Sequence, residues 1–317
     1  MLLTITSNPA IDRTLHVPHL KVGAVHRTAQ VHLAAGGKGL NVARAARTLG
    51  NRVMVTGPLA GHTGRMVADL AAAEGLLADW YWMELGETRT CLLLTHDLGD
   101  ATVINETGPI LSEAAWQGFV AHIQRLAQKA QAVAFSGSLP PGVAPGELGR
   151  LARSLVTTER AVYLDSSGAA LAEALVQPTG LCIKVNREEL AAGLGIEIQD
   201  KATCLKAGEE LLARGAALVV VTLGHEGALA IAPEVGTSGP GCWYAGAPPI
   251  EVVSTVGSGD ALLAGLAVAR LRGQNLGAAL ALGVACGAAN ALGRQPGRFE
   301  KNMVEALLER IGVDIWK

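Results

Sequence analysis

The stretch TVGSGDALLAG, residues 255–265, joins a glycine-rich turn to the start of an apolar helix. Gly257 and Gly259, with Ser258 between them, allow the backbone to turn tightly and to direct successive N–H groups at one point. The small and apolar residues that follow are typical of a buried helix. Free N–H groups at a helix N-terminus attract phosphate together with the helix dipole, so this stretch predicts an anion site.

Asp260, the next residue, stands where a carboxylate can accept a proton from a hydroxyl while the N–H groups hold a phosphoryl group. Such an arrangement would serve phosphoryl transfer. The same residues also suit an ordinary helix cap, because Ser, Gly and Asp are common around the first turn of a helix. The motif alone leaves both interpretations open.

Composition restricts the class of protein. The chain has 317 residues, half of them hydrophobic and 17% charged, which is enough for a large core in one α/β unit. The net charge of −2 and the lack of a basic run argue against nucleic acid as a partner. Five isolated cysteines form no CxxC pair, the N-terminus lacks a leader pattern, and the apolar stretch 261–269 is too short to span a membrane. We therefore expect a reduced, cytoplasmic protein with no membrane partner.

Short β-rich segments alternate with longer Ala- and Leu-rich segments along most of the chain. This alternation predicts right-handed crossovers and a mostly parallel central sheet covered on both faces, an α/β fold of three layers. The predicted strands cover residues 2–6, 52–56, 132–136, 161–164, 181–185 and 218–223. The predicted helices cover residues 39–49, 63–74, 113–129, 146–156, 202–214, 257–272, 276–292 and 301–311.

Two segments, 13–33 and 88–105, alternate polar and apolar residues without an intervening helix. We expect them to form a small separate β-sheet. Ligands bind beyond the carboxyl ends of the strands in open α/β sheets, so a small sheet placed there would act as a lid. The whole chain, 1–317, is then expected to be a single domain with these two segments as its lid.

Several polar residues stand where predicted strands end or helices begin. Lys38, in the turn GGKG, opposes the dipole of the following helix unless an anion binds there, and a solvated lysine is an equal alternative. NPAID is expected to end the first strand, so that Asp12 can accept hydrogen bonds from sugar hydroxyls there, or can form an Asx turn. Arg89 suits a phosphate, although an exposed strand arginine is commoner. Asn186 and Glu189 can order Mg²⁺ ligands or form a capping box.

Seven motifs follow one another in an order that resembles the PfkB (ribokinase-like) carbohydrate kinases across essentially the whole chain. They are NPAID, GGKGLNVA, TRT, SGSLPPG, K-x-N-x-x-E, TLGxEGA and TVGSGDALLAG. NPAID with GGKGLNVA is similar to the phosphosugar branch of that family, which contains 1-phosphofructokinases, tagatose-6-phosphate kinases and a minor 6-phosphofructokinase. The resemblance implies a ribokinase-like three-layer sandwich with a β-sheet lid, and ATP and Mg²⁺ as cofactors. Such a lid exposes an apolar face when open, so we expect a homodimer formed through it.

The resemblance also implies roles for individual residues. Asp260 would be the catalytic base, with an anion hole formed by Gly257, Ser258 and Gly259. Sugar hydroxyls would be held by Asp12, Gly37 and Asn41, and the phosphate already on the sugar would be approached by Lys38, Arg89 and Ser138. The nucleotide side would comprise Lys184, Asn186, Thr222, Gly224, Gly227, Val284 and Gly287. Glu189 and Asn186 would help to place Mg²⁺.

The expected reaction transfers the γ-phosphate of ATP to a phosphohexose hydroxyl, with fructose 1-phosphate as the expected acceptor and fructose 1,6-bisphosphate as the product. Tagatose 6-phosphate and fructose 6-phosphate stay open as acceptors. Cys91 resembles the tagatose-6-phosphate kinases, whereas GETRT and Ile104-Asn105-Glu106 resemble the fructose-1-phosphate enzymes. The tail motif GRQPGR departs from the family's monovalent-cation pattern, so dependence on such a cation also stays open.

Two hypotheses from outside this branch remain at the sequence level. A ribokinase or nucleoside kinase has no acceptor phosphate and would not need Arg89 and Lys38 together. A non-enzymatic sugar-phosphate sensor would have no reason to keep Asp260 in an intact anion hole.

Overall fold

A computed structural model describes residues 1–97, 102–233 and 241–316, which form fifteen strands and ten α-helices. The strands are β1 (Leu2–Ile5), β2 (Ala10–His16), β3 (Val31–Gly36), β4 (Val53–Thr56), β5 (Pro58–Leu59), β6 (Tyr81–Trp82), β7 (Arg89–Thr95), β8 (Thr102–Asn105), β9 (Ala132–Ser136), β10 (Ala161–Asp165), β11 (Leu181–Asn186), β12 (Leu218–Thr222), β13 (Ala228–Ala232), β14 (Gly241–Ala245) and β15 (Val313–Trp316). The helices are α1 (Lys38–Thr48), α2 (Gly61–Ala73), α3 (Glu113–Ala127), α4 (Gly146–Ser154), α5 (Gly168–Val176), α6 (Arg187–Leu194), α7 (Lys201–Ala213), α8 (Ser258–Leu271), α9 (Leu276–Ala291) and α10 (Lys301–Leu308).

The large sheet has nine strands in the order β15-β14-β13-β12-β11-β10-β9-β1-β4. The strands from β4 to β12 in this order pair in parallel, and β13, β14 and β15 extend the sheet in antiparallel fashion. Leu2 belongs to one buried apolar cluster and its neighbour Leu3 to the other, because successive side chains of a strand point to opposite faces. Helices cover both faces, which confirms the predicted three-layer α/β fold.

The six predicted strands and eight predicted helices are all present, with ends that differ by up to three residues. The strands β5, β6, β14 and β15 and the helices α5 and α6 were not predicted. The predicted helix 301–311 ends at Leu308, because the chain turns there to add β15 to the sheet edge. None of the helices described is long and apolar enough to cross a lipid bilayer.

The small sheet has four strands in the order β3-β2-β7-β8 and is separate from the large sheet. The segments 13–33 and 88–105 contribute to it as predicted, although residues 98–101 lie outside the described part. The sheet begins earlier than predicted, since β2 starts at Ala10. Asp12 therefore belongs to the small sheet, and the expectation that NPAID ends the first strand is wrong, because β1 ends at Ile5.

Candidate active site

Helix α8 starts in the glycine-rich turn of the stretch TVGSGDALLAG. Gly257 precedes the helix in the left-handed region, with a φ of 81°, and a Cβ there would lie 2.7 Å from the Cβ of Pro296. Glycine is required by both the backbone conformation and the close approach. No side chain caps this N-terminus in the structure as described, so the first turn has no side-chain acceptor for its amides.

Lys184 brings a positive charge to this N-terminus. A Cβ on Gly259 would lie only 2.7 Å from the Lys184 Nζ, so the absence of a side chain at Gly259 makes room for the ammonium group. Lys184 lies on β11 and is 5% exposed. A buried ammonium beside a helix N-terminus creates a strongly anion-attracting position.

Asp260 lies in the first turn of α8 and is 4% exposed. Its Oδ2 accepts a hydrogen bond of 2.8 Å from Nδ2 of Asn41 on α1. Burial raises the pKa of Asp260 to about 7 and the charge of Asp165 adds to this effect, against the opposing influence of Lys38, Lys184 and the Asn41 amide. A carboxyl group whose pKa lies near neutrality is suited to accept a proton from a hydroxyl.

Asp165 is a member of the site that the sequence reasoning missed. It ends β10, is fully buried, and its two carboxylate oxygens lie 3.0 Å from Nζ of Lys184 and 3.4 Å from Nζ of Lys38. Burial acts to raise the pKa of Asp165, but the two lysines hold it below its usual value. The available signal was its position directly after the predicted strand 161–164, at the carboxyl end of a parallel strand.

Lys38 starts α1, where its charge opposes the helix dipole. The structure supplies compensating charges from inside the protein: Asp165, which raises the pKa of Lys38, and Glu189, whose Oε1 lies 4.0 Å from Nζ. The unfavourable position of Lys38 is therefore explained without an external anion. The lysine is still partly accessible, since its side chain is 40% exposed.

Asn186 and Glu189 form the capping box that the sequence allowed as an alternative. Asn186 Oδ1 accepts from the Glu189 N–H at 2.7 Å, and Glu189 Oε2 accepts from the Asn186 N–H at 3.0 Å. The second oxygen of Glu189 faces Lys38 and remains directed into the site. The described residues contain no group of three His, Cys, Asp or Glu side chains that could hold a metal ion by themselves.

Asp12 lies against the turn that precedes α1. A Cβ on Gly36 would lie 2.2 Å from Asp12 Oδ1, so glycine is needed for the carboxylate to pack there. The carboxylate also accepts a hydrogen bond from the backbone N–H of Gly37. Burial raises the pKa of Asp12 to about 6, and the charges of Arg44 and Arg89 oppose the increase. The structure thus brings three of the residues implied for the sugar, Asp12, Gly37 and Arg89, into one neighbourhood.

Arg89 starts β7 and is half-buried. It donates to the carbonyl oxygens of Asn8 at 2.9 Å and Glu106 at 3.2 Å, while its buried Nε has no hydrogen-bond partner among the described residues. It lines a cavity of about 430 Å³ together with Glu106 and Thr107. Its carbonyl contacts hold the guanidinium at the edge of this cavity without neutralising it.

Ser138 is half-buried in the turn after β9. The preceding Gly137 donates its N–H to the carbonyl oxygen of Asp165 at 2.9 Å and has its Cβ position 3.9 Å from the Lys38 Cβ. These contacts place the turn beside Lys38, on the side of the site that contains Asp165.

Besides Lys184 and Asn186 on β11, the residues implied for the nucleotide lie at the end of β12, in the turn after it, and on α9. Thr222 ends β12 and approaches the Val185 carbonyl oxygen at 3.4 Å, and the tight turn that follows contains Gly224 and Gly227 at φ values of 61° and 104°. On α9, Gly287 packs against the start of α8, with its Cβ position 3.1 Å from the Ser258 carbonyl oxygen. Val284 differs from these residues, because it is 4% exposed and belongs to the apolar core.

The sequence profile of the pfkB family of carbohydrate kinases matches residues 5–301, from β1 through α8 and α9 to the start of α10. The chain belongs to this family. As a pfkB carbohydrate kinase it is a phosphotransferase that acts on a sugar hydroxyl, and the resemblance inferred from the seven motifs is confirmed.

Relatives and solved structures agree with this assignment. The 1-phosphofructokinase of Haloferax volcanii is 37% identical over 285 residues, which cover 90% of this chain and 88% of the relative. The 1-phosphofructokinase of Xanthomonas campestris pv. campestris is 37% identical over 274 residues, covering 85% and 84%. Phosphofructokinase-2 from Escherichia coli in complex with potassium has a TM-score of 0.89 at 27% identity and covers 98% of both chains. The fold of this pfkB kinase is therefore ribokinase-like.

The raised pKa of Asp260 has a consequence for stability. Because the pKa increases from an ordinary value of 3.8 to about 7 in the folded protein, the unfolded chain releases this proton at lower pH than the folded chain. The contribution of Asp260 to stability therefore falls as pH rises from about 4 to 7, by about 1.4 kcal/mol for each unit of pKa difference. We expect Asp260→Asn to be more stable than the wild type at pH 8 and nearly equal to it at pH 4. Thermal melting at both pH values measures this, and equal stability at pH 8 would contradict the raised pKa.

Proposed function

We propose that this pfkB kinase is a 1-phosphofructokinase that transfers the γ-phosphate of ATP to fructose 1-phosphate and releases fructose 1,6-bisphosphate and ADP. The observation that carries the proposal is the buried Asp260 in the first turn of an uncapped helix, with Lys184 packed against Gly259. The names of the two relatives at 37% identity support the choice of acceptor.

In the proposed mechanism, the oxygen of the acceptor hydroxyl attacks the γ-phosphate in line, and Asp260 accepts the proton of that hydroxyl. The first-turn amides of α8, around Gly257, Ser258 and Gly259, hold the phosphoryl oxygens. Lys184 adds a positive charge at the same position. These groups are fixed before the reaction, so they can stabilise the charge that develops in the transition state without reorganising.

A magnesium ion would supply positive charge that offsets the negative charge of the ATP phosphates. Glu189 fits a role in placing it, because its Oε1 is directed into the site while Oε2 is used by the cap. Asn186 would act by orienting Glu189 through the same capping box. With one carboxylate available, the donor set suits Mg²⁺, which usually keeps several waters and substrate phosphates as ligands.

For the acceptor, we propose that Asp12, Gly37 and Asn41 hold the sugar hydroxyls and that Lys38, Arg89 and Ser138 contact the phosphate. The Asp12 carboxylate accepts a hydrogen bond from the backbone N–H of Gly37, and the charge of Arg89 acts to lower the pKa of Asp12. The unpartnered Nε of Arg89 at the edge of a cavity supports an anion-binding role. Tagatose 6-phosphate is the second candidate acceptor, favoured by Cys91, which pairs with Asp12 in the register of β2 and β7.

For the nucleotide, we propose a surface formed by Lys184, Asn186 and the turn after β12, completed on α9 by the half-buried Gly287. Gly224 suits this role, because the space around its Cβ position is open. Thr222, Gly227 and Val284 would shape the rest, with Val284 acting from within the core.

We further propose that the small sheet forms a lid, within one domain that comprises the whole chain, and that two copies associate through it. Large apolar side chains are exposed on its strands and on the connection between β2 and β3: Val22 is 98% exposed, Val25 82%, Val103 54% and Ile104 54%. Closure of such a lid would exclude water and suppress the hydrolysis of ATP. Exposed apolar area of this kind is typical of association surfaces.

Replacing Val103 with Asp is expected to convert the proposed dimer into a monomer, because a charge would be buried in an apolar interface. The mass in solution, measured by light scattering at equal protein concentrations, checks this. Ile196→Asp is the matched control, since Ile196 is 42% exposed and lies outside the small sheet. A wild type that is already monomeric would contradict the dimer.

Direct observation of the product tests the proposed reaction. The chain would be incubated with ATP, Mg²⁺ and fructose 1-phosphate and followed by ³¹P NMR. We expect resonances of fructose 1,6-bisphosphate and ADP to grow at equal rates. ADP that accumulates with inorganic phosphate and without a sugar bisphosphate would contradict the proposal.

A further inference from the structure

A buried arginine lies behind the proposed catalytic base. Arg44 is 7% exposed and stands one helical turn after Asn41 on α1. Its Nη1 donates to Asn41 Oδ1 at 2.9 Å, and Asn41 Nδ2 in turn donates to Asp260 Oδ2 at 2.8 Å. The three side chains form a continuous hydrogen-bonded series that ends at the carboxylate.

The nitrogen atoms of the Arg44 guanidinium that do not contact Asn41 donate hydrogen bonds to other acceptors. Glu74, at the end of α2, accepts from Nε at 2.6 Å and from Nη2 at 2.9 Å, and Nη2 also donates to the carbonyl oxygen of Ala35. Glu74 makes a further ion pair of 3.1 Å with Arg298. A two-point carboxylate contact of this kind fixes the plane of a guanidinium.

We propose that Arg44 is a positioning residue that sets the orientation of the Asn41 amide and, through it, the hydrogen bond to Asp260. A guanidinium has only donors, so the amide atom that faces Arg44 must be the oxygen. The NH₂ group of Asn41 must then face Asp260. The inference rests on the proposed function, in which Asp260 is the base.

The orientation matters because a carboxylate accepts hydrogen bonds and cannot donate one. With the NH₂ group towards it, the ionised form of Asp260 is stabilised; with the amide oxygen towards it, the protonated form would be favoured. The other charged groups that face Asp260 are Asp165 at the end of β10, Lys38 on α1 and Lys184 on β11. Their contacts are not made to Arg44, so they remain in place when Arg44 is changed.

The test uses Arg44→Met, with Arg47→Met as the matched control. Arg47 lies on the same helix and contacts the Glu74 carbonyl oxygen, but it is exposed and has no contact with Asn41. In Arg44→Met we expect the acidic midpoint of the pH profile of kcat/KM to rise by about one unit. Arg47→Met should keep the wild-type midpoint. Thermal melting establishes that each variant is folded, and Arg44→Gln, which removes the charge and does not present donors alone to Asn41, replaces Arg44→Met if that variant does not fold.

A double-variant cycle separates the amide from the charge of Arg44. If Arg44 acts through Asn41, the same substitution made in Asn41→Ala should cause no further rise in the midpoint. An equal rise in that background would overturn the inference, as would an unchanged midpoint in Arg44→Met. Titration of the Asp260 carboxyl by ¹³C NMR without sugar gives the same comparison independently of substrate. If fructose 1-phosphate is not the acceptor, the wild type fails to turn it over while this titration still decides the role of Arg44.

Discussion

Replacing Asp260 with Asn is expected to lower kcat by roughly 10²–10⁴-fold, the usual scale for the loss of a general base. The amide is nearly the same size as the carboxylate, and Asn41 can still donate to its oxygen, so the fold should be preserved. Nucleotide binding should also be preserved, because Lys184 and the N-terminus of α8 are unchanged.

Because burial raises the pKa of Asp260, the effect of Asp260→Asn is measured at a pH above that value. Asp260→Asn and the wild type would be compared by single-turnover phosphoryl transfer at pH 8, where the base is ionised in the wild type. Binding of ATP, measured by calorimetry, serves as the control for an intact nucleotide site. Near-normal turnover in the variant would refute the role of Asp260 as base.

Replacing Arg89 with Ala is expected to raise KM for the phosphosugar by roughly tenfold to a hundredfold, which corresponds to the loss of one charge-assisted contact of about 1.5–3 kcal/mol. Arg89 lies at the edge of a cavity, and its contacts to protein carbonyls leave its charge available. KM for ATP should stay nearly unchanged. The preference for phosphorylated over free sugar should shrink in the same variant.

Arg13→Ala provides a matched control for Arg89→Ala. Arg13 is an exposed arginine on β2, next to Asp12 in sequence. Successive side chains of a strand point to opposite faces, so Arg13 faces away from the site that Asp12 faces. The control should keep the wild-type KM for both substrates. An effect of Arg89→Ala on ATP alone would contradict an acceptor-phosphate site.

The regular part of the fold follows from local patterns in the sequence. The apolar runs of the parallel strands are buried and are flanked by amphipathic helices, so these runs can be recognised as strands from the sequence alone. The strand β15 could not be recognised, because four residues after a helix carry too little pattern. Its exposed Ile315 and Asp314 make sense only once β14 provides an edge to pair with.

The tight turn before α8 could be predicted from residue types, whereas contacts between residues distant in sequence could not. Gly257 and Gly259 signal a tight turn by their type alone. Asp165 and Arg44 gave no such signal: one resembles a residue at the end of any strand, and the other is a helix arginine. Their roles arise from ion pairs to Lys184 and to Glu74, which lie 19 and 30 residues away in sequence.

The structure removes the reason for which Lys38 was chosen as a site residue. Its unfavourable position at a helix start suggested an external anion, yet Asp165 and Glu189 already compensate its charge. Its contact with an acceptor phosphate therefore stays a prediction. It now depends on the accessible part of the side chain rather than on the helix dipole.

The proposed acceptor is a phosphorylated hexose, and a comparison of kcat/KM across sugars tests this most directly. Release of ADP would be coupled to a detectable reaction and measured with fructose 1-phosphate, tagatose 6-phosphate, fructose 6-phosphate, free fructose and ribose under one set of conditions. We expect the highest kcat/KM with fructose 1-phosphate and much lower values with both free sugars. A higher kcat/KM for fructose or ribose than for every phosphorylated hexose would contradict the account.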